Sequence, residues 1–93
     1  MRIVSVDSII LDFPFQYGGG PAGWGPEPWR ALSTLLVRVE TDDGIIGWGE
    51  AFSYSCAASV SAAINEMIAP SVIGRDAADI AGITDHCQRS LHL

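Results

Sequence analysis

Residues 32–51 read as two extended runs folded back on one turn, and this unit constrains the rest of the chain. Leu35, Val37 and Val39 point one way while Thr34, Arg38 and Glu40 point the other. That period of two suits a pleated strand with one apolar face. Asp42-Asp43-Gly44 follows, and Asp-Gly tolerates the positive φ that a primed hairpin turn requires. Ile45 to Ala51 then returns as the second arm.

Upstream, Arg2 to Phe13 is rich in β-branched residues. Ile3, Ile9, Leu11 and Phe13 fall on one face and Val4, Val6 and Ile10 on the other, which predicts a strand covered on both sides. The hydrophobic period changes near Ser55. Ser55 is placed to cap a helix that aligns Val60, Ile64, Met67 and Ile68, and Pro70 and Gly74 end that stretch. Asp76 is placed to cap a second helix, with Asp79 adding negative charge at its positive end. Ile80, Ile83, Cys87 and Leu91 form its apolar stripe. The expected elements are strands at about 2–13, 32–41 and 45–52 and helices at about 56–69 and 77–92, an α+β domain. The second helix meets no stop signal before Leu93 and reads as cut rather than finished.

A chain of 93 residues allows one small domain. Five Arg, no Lys and eleven acidic residues give a net charge of -6, which argues against nucleic-acid binding. Charged residues make up 17% of the chain, against about 25% in typical domains. So sparse a charged surface implies that part of it is covered by a partner or a further piece of protein. No apolar run is long enough to span a bilayer, and Met1 to Ile10 does not read as a signal peptide. Cys56 and Cys87 have neither metal nor redox spacing; they read as small buried residues in a reducing cytoplasm.

Residues 14–31, PFQYGGGPAGWGPEPWRA, hold four of the five prolines and five of the ten glycines. A loop of this length inside a compact domain is uncommon. Tyr17, Trp24 and Trp29 give it apolar surface to bury, so it reads as a lid or contact loop, against a surface loop whose aromatics pack on their own domain. Gly18-Gly19-Gly20 is not a phosphate loop, because no lysine follows it. Gly47-Trp48-Gly49-Glu50 suggests close backbone approach or a bulge. Glu50 reads as a carboxylate paired to an Arg or to backbone amides, with a catalytic base or metal ligand as the rarer role. Ser53, Ser55 and Cys56 follow a strand without the glycines of a nucleophile elbow. His86 and His92 are six apart and do not share a helix face as a metal pair would. No self-contained catalytic apparatus is assembled from these residues.

The combination TLLVRVETDDGIIGWGEAF, a helix, and then IAPSVIGRDAADI resembles the amino-terminal capping domain of the enolase superfamily, in its mandelate racemase and muconate-lactonizing branch. The likeness runs from RIVSVDSIIL to the helix at Asp76. It implies a three-stranded antiparallel meander followed by helices, incomplete here and truncated before the barrel. The chemistry implied is proton abstraction next to a carboxylate, giving an enolate held by magnesium, in racemases, cycloisomerases and acid-sugar dehydratases. The catalytic residues and metal ligands of such enzymes lie on a following β/α barrel, so no catalytic or metal residue carries over and this chain is expected to be inactive and cofactor-free alone. What carries over is the cap. Two loops close over the barrel mouth, and by position Tyr17, Gly20, Trp24, Phe52 and Tyr54 would contact a carboxylate-bearing small molecule. The complete enzyme is expected to be a cytoplasmic homo-oligomer. The alternative is a stand-alone binding or protein-interaction module that reuses the cap fold.

Overall fold

The computed structural model describes residues 1–14 and 31–91. Its alternating runs form one antiparallel sheet of three strands, β1 (Ile3–Pro14), β2 (Ala31–Thr41) and β3 (Ile46–Ala51), in the order β1-β2-β3. Helical segments follow: α1 (Ala57–Ala63), a π-helical turn (Ile64–Ile68), α2 (Ala69–Val72) and α3 (Ile80–Ser90). This is the expected α+β arrangement of a meander followed by helices.

Leu35 lies in the row that joins Ile10 of β1 to Ala51 of β3, and it is fully buried. With Ile3, Ile64, Ala69 and Val72 it forms the core among the described residues, between the sheet and the helical layer. α1 and the π-helical turn lie across β1, α1 also reaches β2, and α2 packs on β1. The seam between strand and helix includes polar groups. Ser8 Oγ lies 2.7 Å from Ser61 Oγ and donates to Asn65 Oδ1 at 2.8 Å.

These contacts identify the helix-facing side of β1 and expose a phase error in the sequence reading. The register shifts between Ile3 and Ser5, so Val4 is an extra residue in the ladder. A bulge of one residue reverses which side the following residues face. Ile3 is therefore paired with Thr41 on the side of Ser8, while Ile9, Leu11 and Phe13 point the opposite way. Among the described residues nothing covers that opposite side: Ile9, Leu11, Phe13, Leu32, Ile46 and Trp48 are all exposed. The expectation that strand one is covered on both sides is thus corrected.

The β2–β3 turn also differs in detail. Thr41 N–H donates to Ile45 O at 3.0 Å and Gly44 N–H to Thr41 O at 3.0 Å. Only Gly44, at φ +84°, enters the left-handed region there. This is a three-residue loop closed by a glycine, in place of the two-residue primed turn, which needs positive φ at both central residues.

The helix starts move for local reasons. Cys56 occupies the N-cap of α1 and makes no side-chain cap bond, while Ser55 has φ +58° and lies one residue outside. A capping serine needs an extended backbone to turn its hydroxyl onto the first amides, and Ser55 does not have one. Cys56 is exposed and Cys87 half-buried, both as free thiols, which corrects the reading of two buried cysteines. The cap of α3 is Asp79, whose Oδ1 accepts from Gly82 N–H at 3.1 Å. Asp76, expected to cap that helix, instead accepts from Ala78 N–H at 3.0 Å and pairs with Arg2. The helix consequently begins at Ile80.

Pro70 explains the π-helical turn. In a regular helix its ring would press on the carbonyl four residues back, and it has no N–H to offer. Ala69 N–H reaches back to Ile64 O, five residues away, so the widened turn ends immediately before the proline.

Gly74 to Ala77 then returns to the first strand. Gly74 N–H donates to Ile3 O at 2.8 Å, Ile3 N–H to Arg75 O at 2.9 Å and Ala77 N–H to Met1 O at 2.8 Å. The Arg2 guanidinium holds Gly74 O at 2.7 Å. Gly74 has φ +90°, a backbone that glycine adopts without Cβ strain. The Ile73-Gly74-Arg75-Asp76 motif thereby covers the N-terminal part of the β1 edge.

Candidate functional site

Register places the two candidate loops at one end of the sheet. Pro14 of β1 pairs with Ala31 of β2, so segment 15–30 leaves and returns side by side. β3 ends at Ala51 opposite Leu35, four residues from Ala31 along β2. At about 3.3 Å per residue the two exits lie on the order of 13 Å apart along the strand. The Asp42–Gly44 turn lies at the opposite end.

The turn after β3 is short and held from within. Ser53 is buried, and its carbonyl accepts from Cys56 N–H at 3.0 Å. Cys56 O then accepts from Val60 N–H at 3.0 Å, which joins the turn to α1. Ser55 is the one non-glycine residue with positive φ among the described residues. A left-handed non-glycine residue costs roughly 1–3 kcal/mol and persists where its surroundings hold it. The turn's products are two aromatic side chains at its surface: Phe52 is 88% exposed and Tyr54 38%.

Of the residues the sequence singled out, Phe52 and Tyr54 therefore share one exposed turn. Tyr17, Gly20 and Trp24 lie outside the described residues. Glu50 points to the side of the sheet away from the helices, opposite Leu36, and is exposed. Its carboxylate makes no ion pair with another described residue. His86 is half-buried on α3, with Nδ1 3.4 Å from Ser90 Oγ. Sequence reasoning missed Ser55 as a conformational element, since nothing in SYSC distinguishes a left-handed serine from a capping one.

No three His, Cys, Asp or Glu side chains among the described residues converge as a metal site. No helix among them is long and apolar enough to cross a membrane.

Comparison with known proteins follows the same geometry. The sequence profile of the mandelate racemase / muconate lactonizing enzyme N-terminal domain matches residues 29–92. D-galactonate dehydratases are similar over 46 residues: 46% identical in Verminephrobacter eiseniae and 50% in Xanthomonas campestris pv. campestris, covering 50% of this chain and 12% of each relative. Among solved structures, a member of the enolase superfamily from Polaromonas sp. JS666 superposes with a TM-score of 0.81 at 29% identity, covering 96% of this chain and 23% of that one. The muconate lactonizing enzyme from Pseudomonas fluorescens, complexed with muconolactone, gives 0.80 at 26% identity over 96% of this chain and 25% of that one. The chain thus spans about a quarter or less of the proteins it matches. Its sheet, its helical layer and the profile match over residues 29–92 together show that the chain belongs to the mandelate racemase / muconate lactonizing enzyme family of the enolase superfamily, as an N-terminal domain.

Proposed function

We propose that this chain is the substrate-capping segment of a magnesium-dependent enzyme that removes the proton next to a carboxylate, and that its substrate is a sugar acid of the galactonate kind. The observation that carries this reading is the pair of loop exits at one end of the sheet, one of them presenting Phe52 at 88% exposure. An aromatic side chain this exposed, on a short, internally bonded turn at the same end as the other loop exit, supports a contact role for that end of the sheet. In this reading Tyr17, Gly20, Trp24, Phe52 and Tyr54 meet the substrate above a barrel domain. The identity with D-galactonate dehydratases over half the chain supports a dehydratase over a racemase or cycloisomerase.

The described residues do not fit a magnesium site, so the metal and the acid/base groups belong to the barrel of this proposal. The cap's own contribution is to exclude water. A closed, dry site strengthens every interaction that stabilises charge developing on the substrate, and closure also positions the substrate. Assembly as a cytoplasmic homo-oligomer is part of the same proposal.

The test is a chimera in which residues 1–93 replace the equivalent segment of a D-galactonate dehydratase. Retained dehydration of D-galactonate, with kcat/KM about tenfold lower on Phe52→Ala and an unchanged melting temperature, supports the cap role. Kinetics indifferent to Phe52, Tyr54 and Trp24 alike would remove it.

A further inference from the structure

Asp43-Gly44 is the one Asp-Gly pair in the chain, and no Asn-Gly pair occurs. An aspartate followed by glycine carries its own reactive partner. The amide nitrogen of the next residue is one ring closure from the side-chain carboxyl, and glycine puts no Cβ in the way. Both residues are exposed at the tip of the β2–β3 turn, and a Cβ built at Gly44 meets nothing within 4 Å. The Asp7-Ser8 junction, by contrast, is held in the β1–β2 ladder against Arg38 and Val37.

Thr41 restrains each of the two reacting groups. Its carbonyl accepts from Gly44 N–H at 3.0 Å, which occupies the nitrogen that would attack. Its hydroxyl donates to the Asp43 carboxylate and accepts from Ile45 N–H at 3.1 Å, which fixes the carboxyl group against the turn. The same hydroxyl bond holds the Asp43 carboxyl below its ordinary value. Little of it therefore carries the proton that makes a carboxyl a good electrophile.

We propose that Asp43 is a site of spontaneous isomerisation to isoaspartate, and that Thr41 holds its rate down. The Gly44 nitrogen bonds to Asp43 Cγ and gives up its proton, while the bond from Cγ to the carboxyl hydroxyl oxygen breaks and water leaves. The resulting five-membered succinimide takes up one water. Opening at Cγ restores aspartate; opening at the main-chain carbonyl carbon of Asp43 leaves the backbone running through Cβ and Cγ. The second product adds one backbone atom to a loop closed by Thr41 N–H and Ile45 O at 3.0 Å. Asp42, beside it, accepts from Arg2 N–H at 2.9 Å and donates to Arg2 O at 2.8 Å. Isomerisation thus loosens the turn and the anchor of the first strand together.

The experiment ages the full 93-residue chain for weeks at neutral pH in water enriched in oxygen-18. Peptide mass spectrometry locates the heavy oxygen that each ring opening leaves behind, and an isoaspartyl methyltransferase assay counts the isomer. Label and isomer are expected at residue 43, forming several-fold faster in Thr41→Val and in the parent held in urea. Thr41→Ser keeps the hydroxyl and should keep the parental rate, while Asp43→Glu, which would need a six-membered ring, should form none. The absence of label at residue 43 in the folded parent, over a time that labels the urea-held chain, overturns the proposal. So does a folded Thr41→Val chain that isomerises no faster than the parent. Should Thr41→Val fail to fold, the parent still decides, because equal rates with and without urea would show that the turn restrains nothing.

Discussion

The Thr41 hydroxyl donates to the Asp43 carboxylate inside the turn that joins β2 to β3. Thr41 is buried and Asp43 is exposed, so the bond ties the surface of the turn to the end of the central strand. This bond is the largest reason that the Asp43 carboxyl sits below its ordinary value of 3.8. A carboxyl with a depressed folded pKa binds its proton more readily in the unfolded chain, so stability rises with pH through that range. The contribution is present above pH 3.8 and is lost as pH falls through the lower folded value. Urea midpoints measured from pH 6 to pH 2 should fall less steeply for Asp43→Asn, and for Thr41→Val, than for the parent.

The two classes of glycine should separate in a denaturation series. Gly74, at φ +90°, cannot become alanine without strain, and Gly74→Ala should cost about 1–2 kcal/mol. Gly47 has no such φ and open space at its Cβ, so Gly47→Ala should be neutral or stabilising by up to about 1 kcal/mol. Equal losses at both positions would contradict the backbone described for Gly74.

Asp79 and Asp76 offer a second contrast. Asp79→Ala removes the α3 cap and should cost about 1 kcal/mol with a measurable loss of helical circular dichroism. Asp76→Ala removes an amide contact outside the helix and should leave helix content unchanged. Gly82→Ala should behave like Asp79→Ala, because a Cβ at Gly82 collides with the Asp79 carboxylate.

Leu35→Ala should be the most damaging of these single changes. The side chain is fully buried at the centre of the sheet, and such truncations cost about 2–5 kcal/mol. Phe52→Ala should shift the thermal midpoint by no more than surface substitutions do, within about 0.5 kcal/mol. A large stability loss at Phe52 would mean that its ring is packed rather than presented.

How far the sequence could be read depended on whether the deciding interaction was local. The hairpin of Leu32 to Ala51 was legible because a period of two and an Asp-Gly turn are written within twenty residues. The phase of β1 was not. The Val4 bulge is visible only against β2, and apolar residues on both sides of the strand left either phase plausible. Asp76 and Asp79 both satisfy a capping pattern, and what removes Asp76 from the helix is its pairing with Arg2, far away in sequence. Ser55 carries no signal of its left-handed backbone. Of the proposed site, Phe52 and Tyr54 were singled out through family likeness rather than spacing, and the sheet sets their turn at the end where segment 15–30 departs.

The contacts between Met1–Ile3 and Gly74–Ala77 set an order of events during synthesis. At ribosomal rates of about 5–20 residues per second, roughly 4–15 s separate the appearance of the two halves of this seam. Once β2 has been made, β1 can pair with it while its other edge stands open to neighbouring nascent chains. Completion of the edge therefore waits on translation of the Ile73–Asp76 motif. Synonymous codons that slow elongation between residues 50 and 77 should raise aggregation without altering a single residue of the product.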